Sequence, residues 1–581
     1  MMRLPPNLSA RMPLYAFLFA ALVQIALLAP LIRTDGIWVN DEGNRLLQIR
    51  AFAEGKNGLR DPLCGASLPG LLPYVSDAYF VRDPKSGDIV SGYTEAFPRL
   101  AAPLYRAGGF PLVRSAVLLC SFLCMLLILP LARLCKLSGP AAAGAVLLTG
   151  LGTPLFFYAG TVLEITMAAM LFCVFLFAAG QAVRRHHHWK AWLCAGFLLS
   201  LIPWFREEAY MIFAGFLAAL LLLRPPWKAP AAFGGAFLLG AAPLWILNFT
   251  RWGSIFGLHY LIYREIAPEP VTLLSRLHSL YFFLFGSNAY GLPGLAAGVI
   301  CVFSLFFGLQ KDDHPLRRQV KAIIALLLAA VSLLNLAALV FESDPVQATL
   351  SHQSMCGTVP FFLLPFLFTR TFLAERNKFW KFLFCAGAFS AAGIAVCLEY
   401  GSRGVFFGPR YHTLMLPLYA LLAVRSFHYM KGTPETASRR MIISGALTVC
   451  LCAAACQFSG VRLLRIRKAW SGELNAVCST LVPPVIVSDV FYVPEELAPQ
   501  PDSVRTLYLM EHGLPSLETL TVLNGIETFY YLKRMDPYAS GPDLLFALAE
   551  HWDIRPVRTF SAPELAFLSL QLFRLDRKKT P

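Results

Sequence analysis

Long apolar runs separated by short basic stretches dominate the chain. Pro13 to Ile32 is long enough to cross a bilayer as a helix, because about 20 apolar residues cover the ~30 Å hydrocarbon core. Similar runs recur, and the pattern predicts about 13 spans, at approximately 13–32, 111–134, 140–160, 163–183, 190–204, 206–223, 229–248, 293–310, 320–341, 357–369, 380–399, 411–427 and 441–459. The predicted fold is therefore an α-helical polytopic membrane domain over residues 1–460, followed by a small C-terminal α/β domain over 461–581.

Three regions outside the spans are long enough to fold. The first outer loop, about 34–110, contains Leu46, Leu47, Ile49, Arg50 and Phe52 at a spacing that predicts a short amphipathic helix along the interface. The second, about 249–290, is rich in aromatic residues, as interfacial segments are. In the tail, 485–489 and 506–510 read as short buried strands, with helical stretches near 544–551 and 563–568.

Composition agrees with a membrane protein. Of 581 residues, 57% are hydrophobic and only 15% charged, against about 25% in soluble domains. The net charge of +15 might suggest nucleic acid, but the basic residues sit between spans. Arg133 and Lys136, Arg184 to Lys190, Arg224 and Lys228, Lys311 to Lys321, Arg370 to Lys381, and Lys431 to Arg440 fall where even-numbered crossings return to the cytoplasm. With Arg3 and Arg11 inside as well, the odd span count places the tail outside; Arg462, Arg465, Arg467 and Lys468 break that rule. The first span lacks a small-residue cleavage site and reads as a retained anchor. Most of the fourteen cysteines lie inside spans; Cys64, Cys356 and Cys478 fall in outer regions without disulfide spacing.

The candidate chemistry lies on the outer face. Asn40-Asp41-Glu42 places two carboxylates just beyond the first span. Glu95 precedes the second span and Glu164 opens the fourth, where a charge is costly and usually faces a cavity or a partner. Arg206 and Glu207 lie between two short spans, and Arg410-Tyr411 begins another. An arginine fork suits a phosphate and a carboxylate suits a general base. Together they fit transfer of a group from a phosphate-linked lipid to a hydroxyl or amine.

These segments resemble the GT-C superfamily of integral-membrane glycosyltransferases, in particular the branch with protein O-mannosyltransferases and the lipid A aminoarabinose transferase. Asn40-Asp41-Glu42-Gly43 is similar to the acidic motif of their first outer loop, and Tyr93 to Leu100 to the stretch before their second span. Thr153 to Glu164, Trp204 to Glu208, Leu247 to Ser254 and Phe407 to Tyr411 resemble further segments of the family. A Pro that commonly follows the Arg206 position is Glu207 here, and no lysine follows Glu95, unlike the aminoarabinose branch. Ser351 to Gly357 matches none of its patterns.

The resemblance implies inverting transfer of a hexose or pentose from a polyprenyl-phosphate sugar to a glycan, lipid or protein acceptor, at the extracytoplasmic face of a bacterial inner membrane. It makes Asp41 the general base, with Glu42, Glu95, Glu164 and Glu207 placing sugar or acceptor. Arg206 and Arg410, with Tyr411, would hold the donor phosphate. No cofactor is required, although Asp41 and Glu42 could bind a divalent metal. The partners are the lipid donor, the acceptor and membrane lipids, with no nucleic acid. A transporter or flippase of lipid-linked saccharides would show internal repeats, which are not evident. A glycan polymerase or ligase using a diphosphate-linked donor would carry its large outer loop late in the chain.

Overall fold

A computed structural model describes residues 6–59, 80–83, 86–185, 188–266, 272–286, 291–310, 315–341, 352–397, 407–431, 437–488, 490, 492–500, 505–508, 526–535, 544–561 and 569–578. The chain is mostly helical. Among the described residues seven helices are long and apolar enough to cross a membrane: Ser9–Ile32, Ala96–Leu134, Ile165–Arg184, Lys228–Trp252, Pro315–Phe341, Lys378–Cys397 and Ala437–Cys478. Shorter apolar helices lie between them, at Gly139–Leu151, Trp189–Trp204, Ala209–Leu222, Gly294–Gly308 and Pro360–Leu373. The chain is an integral membrane protein, with long apolar side chains such as Leu22, Leu239 and Leu451 on the outside of the bundle.

Two local devices shape the outer end. Helix Ala96–Leu134 is two helices joined at Gly108-Gly109, where Gly109 has φ 65°. Only glycine takes that conformation cheaply, and Pro111 then starts the membrane-crossing half in a first-turn position that suits proline. The sequence-predicted start of this span at 111 coincides with that break.

The predicted amphipathic helix exists but does not lie on the interface. It runs Asn40–Ala53, and Asp41 through Ala51 are all buried. It is covered on one side by helix Ala96–Leu134 and on another by the short helix Val493–Glu496 of the tail. Gly43 makes the second contact possible. A Cβ there would lie 2.3 Å from the Glu495 carbonyl oxygen.

Helix Ala437–Cys478 is the other organising element. At 42 residues and about 63 Å, it is far longer than a span needs. The expected division at 460/461 falls inside it, so the last crossing continues without interruption into the tail. There it supports a five-stranded mixed sheet of order β4-β3-β5-β7-β6. Here β3 is Val485–Ser488, β4 Arg505–Tyr508, β5 Thr528–Arg534, β6 Trp552–Phe560 and β7 Leu570–Arg577; β1 (Phe80–Arg82) and β2 (Ile89–Ser91) form a hairpin in the first loop. β3 is parallel to β4 and β5, while β7 is antiparallel to β5 and β6. Trp470, Leu474 and Cys478 of the long helix pack on Ile486, Leu532 and Leu572 of the sheet. The helical stretch read near 544–551 appears as Leu544–Leu548, whereas 563–568 lies outside the described residues. Cys356 and Cys478 are buried free thiols, and Cys64 lies outside the described residues.

Candidate active site

Asp41 and Glu42 occupy the first turn of helix Asn40–Ala53, where negative charge complements the helix dipole. Adjacent helical residues point about 100° apart, and the two carboxylates diverge accordingly. One Asp41 oxygen accepts from the Tyr93 hydroxyl at 2.5 Å, and the other from Arg410 Nη2 at 2.8 Å. Glu42 turns to the opposite side. Its Oε2 accepts from the Trp38 amide at 2.8 Å, and its Oε1 from the Val162 amide at 2.9 Å and from Lys468 Nζ at 2.7 Å. Both members of the Glu42–Lys468 pair are fully buried.

Arg410 reaches Asp41 across 369 positions of sequence because of a built turn. Gly408 has φ 76°, and a Cβ there would lie 2.4 Å from the Pro154 ring. Its amide donates to the His352 carbonyl at 3.0 Å, and the Tyr158 hydroxyl donates to the Phe407 carbonyl at 2.9 Å. Trp38, Phe157 and Phe407 pack ring to ring beneath. Two segments singled out in the sequence, Thr153–Tyr158 and Phe407–Tyr411, are thus one structural unit. The unassigned stretch around His352 is its third side.

Glu164 sits beside this unit and binds Arg45 through two bonds, of 2.9 and 3.1 Å; Arg206 adds a third at 3.3 Å. Both arginines face the buried Glu164 carboxylate and offset the cost of its charge there. Arg206 also donates to Glu208 at 2.8 Å. The Arg45 guanidinium lies 4.4 Å from the centre of the Tyr93 ring, closing a ring of Asp41, Tyr93, Arg45, Glu164, Arg206, Tyr411 and Arg410.

Tyr93 also lines a cavity of about 520 Å³. Its polar lining includes Glu95, Arg251, Glu207 and His259 beside Tyr93. Leu201, Trp204, Phe205, Leu244, Leu247 and Phe256 form much of its apolar wall. Arg251 bridges Glu95 at 2.6 Å and Asp83 at 3.2 Å, and His259 Nδ1 lies 3.1 Å from Glu207.

Of the sequence-predicted site residues, Asp41, Glu164, Arg206, Arg410 and Tyr411 come together, Glu95 and Glu207 line the cavity, and Glu42 faces the tail. Neither Glu42 nor Glu164 presents a free carboxylate: all four oxygens are engaged by protein donors, and both residues are buried. Among the described residues no group of three or more His, Cys, Asp and Glu could hold a metal ion. Asp41 and Glu42, the two carboxylates that could bind a divalent metal, point apart and each faces a cation of the protein. Sequence reasoning passed over Arg45 and His259, and named Tyr93, Glu208, Arg251 and Lys468 without assigning them a role at the site. The available signal for Arg45 was its position four residues after Asp41.

No protein-family model matches the chain, and no curated protein matches it either. Among solved structures it is similar to ArnT from Cupriavidus metallidurans in the apo state, with 14% identity and a TM-score of 0.44 over 97% of each chain. It is also similar to the oligosaccharyltransferase AglB from Archaeoglobus fulgidus in complex with an inhibitory peptide and a dolichol-phosphate. There the identity is 12% and the TM-score 0.47, over 96% of this chain and 75% of that one. An Archaeoglobus fulgidus oligosaccharyltransferase complexed with Zn and sulfate aligns at 13% identity and a TM-score of 0.48, over 89% and 68%. Likeness at this level carries no conclusion about activity.

Proposed function

We propose that the protein transfers a monosaccharide from a polyprenyl-phosphate donor to a hydroxyl or amine of a cell-envelope glycan, lipid or protein, with inversion. The observation that carries this reading is Asp41, a buried carboxylate gripped by Tyr93 and Arg410, with that tyrosine also walling a cavity lined by both apolar and charged side chains. An isoprenoid chain suits the apolar side chains of that cavity, and Arg206 and Arg410 beside Tyr411 suit its phosphate. The mono-phosphate donor follows the family resemblance of the motifs.

In this mechanism the acceptor oxygen or nitrogen attacks the anomeric carbon from the face opposite the phosphate. The anomeric C–O bond breaks, its electron pair stays on the lipid phosphate, and the acceptor proton passes to Asp41. Arg410 and Tyr93 fix the carboxylate's orientation and leave it lone pairs for that proton. Arg206 and Arg410, next to Tyr411, take the charge that grows on the phosphate; Arg206 Nη2 has no partner among the described residues. Glu164 keeps Arg206 and Arg45 in place, and Glu42 anchors the helix that bears Asp41. Glu95 and Glu207 line the cavity where donor or acceptor enters.

Arg206→Ala and Arg410→Ala are each expected to weaken donor use, with Lys rescuing poorly because it lacks the planar fork. Titrating the purified variants with polyprenyl phosphate checks this; wild-type affinity in both would reassign the arginines to ion pairing alone. Comparing envelope glycolipids, polysaccharides and glycoproteins with and without the gene tests the function, and an unchanged sugar inventory would overturn it.

We place the protein in a bacterial inner membrane with Asp41 and the tail both outside. Two of the four basic residues that break the charge rule are compatible with this placement, because Arg467 binds Glu496 and Lys468 binds Glu42 inside the protein. They are structural cations and need not mark a cytoplasmic loop. Alkaline phosphatase fused after residue 581 is expected to be active, and an inactive fusion would put the tail inside.

A further inference from the structure

Helix Asn40–Ala53 carries polar groups that neither its packing nor the proposed chemistry uses. Asp41, Asn44, Arg45 and Gln48 are spaced i, i+3, i+4 and i+7, which puts them on one face. Asn44 is fully buried and its amide nitrogen and oxygen both lack a hydrogen-bond partner. Gln48 is 5% exposed with an unpartnered Oε1, and Arg45 is 2% exposed with an unpartnered Nη1. An orphaned buried polar atom is costly, and several on one stripe, with Gln48 at its end lining a small space, point to a ligand. Gln48 lines a small space together with Ser91 and Glu95, and both of these also line the large cavity.

The chemistry of the orphans is selective. Arg45 Nη1 and Asn44 Nδ2 donate, whereas Asn44 Oδ1 and Gln48 Oε1 accept. A phosphate only accepts and would leave both carbonyl oxygens unmet. An isoprenoid would leave all four unmet. Groups that both donate and accept, set a few ångströms apart on a rigid frame, satisfy them, and sugar-ring hydroxyls are such groups. The stripe starts at Asp41, where the anomeric carbon must sit for the proposed transfer.

Resting on that reading, we infer that Asn44, Gln48 and the free Nη1 of Arg45 form the subsite that holds the ring hydroxyls of the donor sugar and so select which sugar is moved. They are specificity residues one and two helical turns from the base.

The test uses the full-length chain in lipid nanodiscs and compares bare polyprenyl phosphate with a panel of polyprenyl-phosphate hexoses, pentoses and aminosugars. Wild type is expected to bind at least one sugar-bearing lipid more than 10-fold tighter than the bare one, on the order of what one or two charged or neutral hydrogen bonds supply. Asn44→Leu and Gln48→Met keep the side-chain size and remove the polar atoms. Each is expected to bind the bare lipid like wild type, to lose about 10- to 100-fold of the sugar-dependent gain, and to unfold at the same or a higher temperature. Gln48→Met carries the test by itself should Asn44→Leu fail to accumulate. The inference is overturned if both variants keep the gain, if bare-lipid affinity falls equally, or if no sugar in the panel tightens wild-type binding. Wild type that fails to bind even the bare lipid would instead overturn the proposed function.

Discussion

Asp41→Asn is expected to lower sugar transfer by about 10²–10⁴-fold, the range that a positioned general base supplies. The substitution keeps the size of the side chain, and its amide oxygen can still accept from Tyr93 or Arg410. What it loses is the negative charge and the ability to take the acceptor's proton. Removing that charge also leaves Arg410, whose side chain is 13% exposed, without its carboxylate at 2.8 Å. Some loss of thermal stability is therefore expected alongside the rate loss, and donor binding separates the two. Purified Asp41→Asn should bind polyprenyl phosphate while turning over slowly in a single-turnover assay. A wild-type rate would move the base elsewhere. Glu164, paired with two arginines, would be a poor replacement because its lone pairs are already spent on them. Tyr93→Phe removes one of the two grips on Asp41 and should cost less, since Arg410 remains.

The second large effect is on folding. Lys468→Met is expected to destabilise the protein by about 3–5 kcal/mol, because it strands the Glu42 carboxylate in a fully buried site. The double variant Lys468→Met with Glu42→Gln should recover most of that loss, since a neutral amide can keep an accepting bond to the Val162 or Trp38 amide without an uncompensated charge. Thermal unfolding of the three proteins in detergent checks the sequence. A Lys468→Met protein as stable as wild type would mean the pair contributes nothing. The contact matters because it joins the helix of Asp41 to the long helix Ala437–Cys478. Around it, Ser471 Oγ accepts from the Ile37 amide at 3.1 Å and donates to Glu496 at 2.7 Å, and Arg50 donates to the carbonyls of Ala498 and Gln500. The tail, for which the sequence suggested no chemistry, is bolted to the back of the acidic helix.

The family-like segments were legible because each is short, local and rich in residues that are expensive in a membrane. Asp41, Glu95, Glu164, Arg206 and Arg410 stand out against apolar neighbours, and the structure gathers three of them on Asp41's side of the acidic helix. Their partners were not legible. Arg45 looked like the polar face of an interfacial helix, and only the covering of that helix by Ala96–Leu134 and Val493–Glu496 turns it into a ligand of Glu164. Lys468 looked like a violation of the charge rule, and only its approach to Glu42 explains it.

The sequence by itself determined the class of protein and the positions of most of its apolar helices, because those follow from hydropathy over a dozen or more residues; of the tail's five described strands it marked only Val485–Ser488 and Arg505–Tyr508. That Asp41 and Glu42 face different ways follows from their place in the first turn of helix Asn40–Ala53, which the structure supplies. Only the tertiary structure decided that Asp41 faces Tyr93, Arg410 and the cavity side while Glu42 faces the tail. Those partners lie 52, 369 and 426 positions away, a separation at which no local pattern carries information. The physical reason is that a buried carboxylate must find its counter-charge wherever packing brings one, and packing is a property of the whole bundle.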